Sequence, residues 1–244
     1  MNKIKICNSI APIILVIFLL LMGKFLLLKL NVINKIESMN ILTRIQDQNK
    51  YGYMDAKRKI VIEPIYDDAD VTFREDLASV KLNDKWGFIN KTGDLVINNI
   101  YDDTKSFNEG LSAVEINGKW GVINTNGKLI IEAKYDDVDW FDEGLARVEV
   151  NDKSGFIDTA GTLVTKLYDD TKWFSNGLAA IKLNDKWGFI DKTDTMIIEP
   201  KYDSVDFFHN GKTHVTINGK SKIIDKSGKV KKSAWVLEFI DDLL

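Results

Sequence analysis

The sequence predicts an all-β chain built from an internal repeat of about 34 residues. A Trp-Gly step recurs at nearly constant spacing, and a Tyr-Asp pair and a Phe recur in the same register. The step is present as Trp86-Gly87, Trp120-Gly121 and Trp187-Gly188, and in altered form as Tyr51-Gly52, Ser154-Gly155 and Ser221-Lys222. A fixed period of this length is typical of repeat arrays. No stretch between Leu42 and Gly228 has a sustained helical period, so each unit is expected to consist of strands.

Each unit is predicted to be a three-stranded antiparallel meander, and the first hairpin is expected to begin before Tyr51. In the first strand of a unit, apolar residues alternate with polar ones, as Ala146, Val148 and Val150 do. A type I′ turn follows, as at Asn117-Gly118, because Asn and Gly adopt positive φ at the least cost. The second strand carries the Trp-Gly step. A type I turn with Asx first and Gly fourth leads into the third strand.

The links between units contain a glycine that is expected in the left-handed conformation, with Asp76 in its place in one unit. These glycines are Gly110, Gly144, Gly177 and Gly211. An open, solenoid-like stack of units is predicted, because the terminal units are degraded in the way that capping repeats are. The alternative is a closed β-propeller of five or six blades, in which the Tyr-Asp segment supplies a fourth strand.

The N-terminal segment differs from the rest of the chain, because it has no charged residue from Ile6 to Gly23. Residues 1–30 are predicted to form an uncleaved signal-anchor with one transmembrane helix, since the length suits a bilayer and no small-residue cleavage site follows. A cleaved signal peptide is the alternative. The short basic stretch before the apolar run favours an extracytoplasmic location for the repeats.

The remainder of the chain is divided into three predicted segments. Residues 31–40 form a linker, and residues 41–228 form the β domain of about five to six repeats. Residues 229–244 form a C-terminal cap with a short helix that starts at Ser233 and covers the last repeat.

Composition argues against several classes of function. The 33 basic and 36 acidic side chains are interspersed, so no nucleic-acid partner is predicted. Cys7 is the only cysteine, which excludes an internal disulfide. His209 and His214 are the only histidines, so we predict no catalytic residue, metal or cofactor. The alternative to a non-catalytic protein is a hydrolase that acts on envelope polymers through Asp or Glu.

The repeated stretches Phe107 to Asp136 and Phe174 to Asp203 follow a pattern close to F-x-E-G-L-A-x-V-x-x-N-x-K-W-G-F-I-D-x-x-G-x-x-V-I-x-x-x-Y-D. This pattern resembles the WG-repeat family of bacterial proteins, and the resemblance covers about four-fifths of the chain. It implies a β-rich repeat module of a kind often associated with the cell envelope and presumed to bind other molecules. The chain departs from the pattern at Tyr51, Ser154 and Ser221, so a function that needs every Trp is not expected.

The residues of the Trp-Gly step are interpreted as structural, because a Trp that follows a tight turn within a strand buries a large area between neighbouring units. These residues are Trp86, Gly87, Trp120, Gly121, Gly155, Trp187 and Gly188. At Ser154 the core is expected to be thinner. The alternative is an aromatic ladder for a glycan or a peptide.

Acidic residues also recur, as in Asp102-Asp103 and Asp136-Asp137. Calcium requires several such oxygens. No loop has the dense spacing of a dedicated calcium site, however, so these side chains are expected to bond to nearby backbone amides.

The position before the repeated Phe provides the candidate ligand-binding residues Trp140, Trp173 and Phe207, where earlier units have Thr72 and Ser106. In an extended segment this position lies on the face opposite the Phe, so the three aromatics are predicted to form an exposed stripe. The alternative is that they cover the connecting loops. The sequence therefore predicts a membrane-anchored, non-catalytic repeat module with an unknown protein or glycan partner at the bacterial cell envelope.

Overall fold

The computed structural model describes residues 41–231, and all regular structure in this range is β-strand. Twenty-two strands form six small antiparallel sheets in these residues, which we number one to six in chain order. The all-β prediction is confirmed. The choice between an open stack and a closed propeller stays a prediction.

The predicted segments at the two ends fall largely outside this range. The membrane helix within residues 1–30, the linker at 31–40 and the C-terminal helix from Ser233 all lie outside the described residues. From residue 41 to residue 231, no helix has the length and apolar character needed to cross a membrane.

The chain divides into two compact parts at Ile65. The first part contains sheet one, which is formed by β1 (Thr43–Asp47), β2 (Lys50–Met54) and β3 (Ile60–Tyr66) in that order. Gln48 and Asn49, between β1 and β2, have φ values of 45° and 62°. The hairpin predicted to begin before Tyr51 is therefore present.

The second part contains sheets two to six, in which neighbouring strands follow chain order. Sheet two consists of β4 (Asp68–Ala69), β5 (Leu77–Leu82), β6 (Lys85–Asn90) and β7 (Leu95–Tyr101). Sheet three consists of β8 (Asp103–Thr104), β9 (Leu111–Ile116), β10 (Lys119–Asn124) and β11 (Leu129–Tyr135). Sheet four consists of β12 (Asp137–Val138), β13 (Leu145–Val150) and β14 (Lys153–Asp158). Sheet five consists of β15 (Asp170–Ser175), β16 (Leu178–Leu183), β17 (Lys186–Ile190) and β18 (Met196–Tyr202). Sheet six consists of β19 (Ser204–Val205), β20 (Lys212–Ile217), β21 (Lys220–Asp225) and β22 (Val230–Lys231).

The prediction of three strands per unit is wrong for sheets two, three, five and six, which have four strands each, as was expected only in the propeller alternative. The additional strand starts with the residue after the Tyr-Asp pair and pairs with the strand that follows the link. In sheet three, Asp103 lies opposite Glu115 and Thr104 lies opposite Val114. In most sheets this strand has only two residues, which is too short to show the alternation that predicts a strand.

Sheet four has three strands because its last strand is missing. In its place, only isolated bridges join Ser154 to Tyr168 and Ile157 to Leu163. This is also the unit in which Ser154 replaces the repeated Trp.

Tight turns whose two central residues have positive φ occur at two places in the repeat. The turn before the Trp-Gly step is type I′ as predicted, since both central residues have positive φ, for example 53° at Asn117 and 75° at Gly118. The link also contains such a turn. Gly110 has the predicted left-handed conformation with a φ of 77°, and Glu109 before it has a φ of 53°, which was not predicted.

Backbone bonds between Asn108 and Leu111 close this two-residue turn, and in three links the side chain of the first turn residue also bonds to the next unit. Glu75 accepts a hydrogen bond from Gly110 N at 2.9 Å, and Glu109 accepts one from Gly144 N at 2.8 Å. Asn176 accepts the corresponding bond from Gly211 N at 3.1 Å.

The glycine of the Trp-Gly step allows the last strand to pass very close to the second. Trp120 lies opposite Tyr135, and Val122 lies opposite Ile131. An advance of two residues along β10 therefore corresponds to an advance of four residues along β11, and the extra residues form a bulge in β11. A Cβ added to Gly121 would lie 2.6 Å from the carbonyl oxygen of Ile131. The same conflict exists at equivalent positions, with distances of 2.5 Å at Gly87, 2.5 Å at Gly188 and 2.8 Å at Gly155.

In the second part of the chain, apolar clusters lie between consecutive sheets and contain the repeated Phe. Phe107 packs edge to face on Phe88 with 4.8 Å between ring centroids, and Phe208 packs in the same way on Phe189 at 4.9 Å. Trp187 belongs to one of these clusters and is 9% exposed, while Trp86 and Trp120 are half-buried and pack against others. The repeated Trp residues thus pack within or against the apolar clusters, while their interpretation as structural rather than ligand-binding stays a prediction.

We expect Gly121→Ala to lower the free energy of unfolding by about 1–3 kcal/mol, because the new methyl group overlaps backbone that cannot move independently. The measurement is urea unfolding followed by circular dichroism. Gly118→Asp is the matched control, since Asp84 and Asp152 occupy the equivalent turn position at a φ of 61° each. Equal loss of stability in both variants would contradict this account of the glycine.

Candidate functional site

The three aromatic residues predicted as a stripe lie in consecutive sheets and are called the aromatic row. Trp140 is 56% exposed and Phe207 is 50% exposed, and Trp173 between them is half-buried. The rings of Trp140 and Trp173 are stacked, with 5.7 Å between their centroids and 22° between their planes. Lys172 continues the row, because its Nζ lies 5.9 Å from the centroid of the Phe207 ring.

The aromatic row faces solvent because successive side chains of the link alternate between the core and the surface. Phe141 and Phe208, which directly follow row residues, are 1% and 2% exposed and anchor the segment in the apolar clusters. The neighbouring side chain is therefore turned towards solvent. The structure thus places all three residues at the surface, while their role as binding residues stays a prediction.

A groove with a volume of about 600 Å³ lies beside Trp140. It is lined by Asp70, Arg74, Thr104, Lys105, Ser106, Phe107, Asn108, Trp140 and Asp142. The residues other than Trp140 and Asp142 come from the segments that lead into sheets two and three. Trp140 therefore lies between the groove and Trp173, which belongs to sheet five.

The polar side chains along the groove are held by specific bonds. Lys105 forms ion pairs with Asp137 at 2.8 Å and Asp139 at 3.1 Å, and its Nζ lies 5.0 Å from the centroid of the Trp120 ring. Asn108 donates from Nδ2 to the carbonyl oxygen of Phe141 at 2.6 Å. Lys105 is thus compensated by two carboxylates, and the amide of Asn108 has a fixed orientation.

Residues Arg74, Asn108 and Asp142 were not singled out from the sequence. They share one repeat position, the residue after the repeated Phe, and that position varies in chemistry from unit to unit. The sequence does contain a signal for these residues, because their position varies while the Phe before it is constant. The prediction of binding residues drew on such variation only at the position before the Phe.

Polar side chains fill the space beside Ser154, so the expected thinner core is not what the structure shows. Ser154 is 2% exposed, and its Oγ accepts a hydrogen bond from Thr171 Oγ1 at 2.9 Å. Arg147 donates from Nε to the carbonyl oxygen of the same Thr171 at 3.0 Å, and it forms ion pairs with Glu149 at 2.8 Å and Asp170 at 3.2 Å. Hydrogen bonds to Thr171 and the ion pair with Asp170, both residues of sheet five, thus replace the apolar contact of a Trp.

The recurrent acidic residues are engaged in structural bonds. The second Asp of a pair accepts a hydrogen bond from the next backbone N–H, as Asp103 does from Thr104 at 2.7 Å. The first Asp links two sheets, because Asp102 accepts from Lys85 of the sheet before it and from the N–H of Asn117, the latter at 2.7 Å. Among residues 41–231, no group of three or more His, Cys, Asp or Glu side chains is placed to hold a metal ion.

These bonds shift the titration of the first Asp. The hydrogen bond from Lys85 holds the pKa of Asp102 below its ordinary value, and the N–H of Asn117 acts in the same direction. The pKa is likewise lowered at Asp136 and Asp203, where Lys119 and Lys186 contribute most, and at Asp169, where the Asn184 N–H contributes most.

A smaller cavity of about 260 Å³ lies at the other end of the aromatic row. Phe207, His209 and His214 line it together with Asp206, Lys212, Thr213 and Ile223. His214 Nδ1 lies 3.9 Å from Asp206 Oδ2. Both histidines are therefore at the surface of sheet six, beside the last residue of the row.

Comparison with known protein families identifies the repeat. A family model described as "WG containing repeat" matches residues 51–86, 86–120, 120–153, 155–187 and 187–220. Its five consecutive matches follow the period seen in the sequence. No curated protein sequence matches the chain significantly.

Several solved structures have a similar backbone arrangement. A crystal structure of a eukaryotic initiation factor has a TM-score of 0.51 and 14% sequence identity, over 79% of this chain and 63% of that one. Hsv2p from Kluyveromyces lactis has a TM-score of 0.45 at 10% identity, over 79% and 75% of the two chains. BamB from Moraxella catarrhalis has a TM-score of 0.45 at 11% identity, over 78% and 69%. At these identities the likeness to the initiation factor concerns the fold alone, and it agrees with a succession of small antiparallel sheets.

The lowered pKa values predict that part of the stability is lost on acidification. A carboxyl whose folded pKa is depressed stabilises the fold above its unfolded pKa, and this stabilisation disappears as the pH falls through the folded value. We therefore expect the urea midpoint to fall as the pH drops below about 4. In Asp136→Asn the fall should be smaller, because one of the contributing carboxyls is gone.

The control for this experiment is Asp152→Asn, which changes an exposed Asp in a tight turn. Its acid sensitivity should match that of the wild type. If Asp136→Asn also matches the wild type between pH 7 and pH 3, the link between Asp136 and Lys119 does not contribute to the pH dependence of stability.

Proposed function

The chain belongs to the family of WG-containing repeats, and we propose that its β domain is a non-catalytic module that binds a protein or glycan partner through the aromatic row. The observation that supports this best is the exposed ring of Trp140 stacked on the half-buried ring of Trp173. A folded chain ordinarily buries most of a Trp, and exposed apolar patches mark interaction sites.

The packing of the aromatic row also suits binding. Trp and Tyr are enriched among the residues that dominate interface energies, and a rigid ring loses little conformational entropy on binding. Trp173 supports the ring of Trp140 from one side, and Lys172 lies near the ring of Phe207. The row therefore offers ordered apolar surface with a positive charge at one end.

The acidic residues favour a binding module over the alternative of a hydrolase. Asp102, Asp136 and Asp169 each bond to a backbone N–H and a Lys side chain, which accounts for their recurrence. A catalytic pair would be expected to differ from unit to unit. We propose further that the module acts at the bacterial cell envelope, tethered by residues 1–30.

Trp140→Ala combined with Trp173→Ala is expected to reduce capture of the partner at least tenfold, which corresponds to about 1.4 kcal/mol, because it removes the stacked pair. The full-length chain is crosslinked in cells and purified, and copurifying proteins and sugars are quantified. The variant is expected to remain folded, because Trp140 is 56% exposed and Trp173 lies at the surface, half-buried, and a melting curve checks this.

The matched control is Val96→Ala combined with Ile100→Ala. These side chains are 43% and 61% exposed on β7 and lie outside the aromatic row, so their removal should leave capture unchanged. If the double Trp variant captures the same partners in the same yield as the wild type, the row is not the binding surface.

The location of the repeats is tested by cysteine labelling in intact cells. Cys7 is replaced by Ser, and Asp152, at an exposed tight turn, is replaced by Cys. We expect an impermeant maleimide to label Cys at this position in intact cells. Labelling that requires lysis would contradict an extracytoplasmic location and would direct the search to cytoplasmic partners.

A further inference from the structure

We propose that the groove beside Trp140 binds one residue of a neutral sugar within a glycan. This inference rests on the proposed binding function and names its ligand class. It concerns the groove rather than the full aromatic row, because the groove combines one aromatic wall with several polar side chains.

The aromatic wall is held in place before any ligand arrives. Trp173 stacks against Trp140 from the side of sheet five, while the groove residues come from the segments of sheets two and three. Phe141, which follows Trp140, is 1% exposed and fixes the backbone at this point. A ligand therefore meets a ring whose orientation is already set, which reduces the entropic cost of binding.

The polar side chains offer both donors and acceptors. Arg74 contributes a guanidinium, which only donates, and Asp142 contributes a carboxylate, which accepts. Asn108 uses its Nδ2 to bond to the Phe141 carbonyl, so its amide oxygen is the group left to accept from a ligand. Ser106 donates to Asp70 at 2.9 Å, and its hydroxyl oxygen has lone pairs that remain able to accept.

The balance of charge favours a neutral ligand. Arg74 and Asp142 have opposite signs, and Lys105 is already paired with Asp137 and Asp139. A strongly basic peptide would meet Arg74, and a polyanion would meet Asp142 and Asp70. A sugar ring has an apolar C–H face for Trp140, and its hydroxyls both donate and accept hydrogen bonds.

The size of the groove is consistent with this class of ligand. Its volume of about 600 Å³ lies within the range of small-molecule sites, which combine apolar walls with a few well-placed polar groups. Because the groove is open along the surface, a sugar residue can be bound while the rest of its glycan extends over Trp173 and Phe207.

The test uses the full-length chain on an array of neutral hexose and N-acetylhexosamine oligosaccharides, followed by titration of the best binder. An arginine-rich peptide and an oligogalacturonate serve as charged comparators. We expect a neutral oligosaccharide to bind best, and Trp140→Ala to weaken it at least tenfold. Arg74→Gln and Asp142→Asn should each weaken it severalfold.

Val96→Ala combined with Ile100→Ala is the matched control, because it removes exposed apolar side chains that belong neither to this groove nor to the aromatic row, and it should leave the affinity unchanged. Melting curves show whether each variant is folded. Trp140→Phe should recover part of the binding lost in Trp140→Ala. Absence of binding to every neutral oligosaccharide, stronger binding of a charged comparator, or equal affinity of wild type and Trp140→Ala would each overturn the proposal.

The outcome separates this inference from the proposed function. If no neutral sugar binds but the double Trp variant still loses its partner in cells, the aromatic row is a binding surface for another ligand class. If the double variant loses nothing, both proposals fail.

Discussion

The close approach of the last strand to the glycine of the Trp-Gly step is the constraint on which the other features of a unit depend. With a Cβ at Gly121, the carbonyl oxygen of Ile131 would have to move. Without one, β11 bulges and brings Tyr135 opposite Trp120. The chain then passes through the Tyr-Asp pair directly into the next sheet. The spacing of the repeat is thus set by a contact that only glycine permits, with the aromatic pair packed next to it.

Electrostatic contacts also join neighbouring sheets. The fifth residue of each unit, counted from the Tyr of the Tyr-Asp pair, alternates in charge. The series is Asp70, Lys105, Asp139, Lys172 and Asp206. Lys105 pairs with Asp139 of the next unit at 3.1 Å, and Lys172 donates to the carbonyl oxygen of Val205 in the next unit at 2.8 Å. Single pairs of this kind contribute little stability, but the alternation avoids like charges at this position in consecutive units.

Turn chemistry and the period of the repeat predicted the long strands, the type I′ turns and the surface position of the aromatic row. Two features were predicted incompletely, for physical reasons. A fourth strand was expected only in the propeller alternative, because a strand of two residues is too short to show alternation. The left-handed conformation of Glu109 was not expected, because its turn is closed by backbone bonds between Asn108 and Leu111 and Glu is not a residue typical of such turns. The groove was not predicted, since Arg74 and Asp142 are 68 positions apart and only tertiary packing brings them together.

Sheet four shows how such a chain can diversify. In a repeat array, stability is approximately a sum over units and their nearest-neighbour interfaces. The replacement of Trp by Ser154 therefore alters its own unit and the contacts with sheet five, where Arg147 and Thr171 provide new bonds, and the other interfaces keep their packing. The same sheet contributes Trp140 to the surface. Redundancy among the copies thus leaves one unit able to change its role while the remaining units maintain the fold.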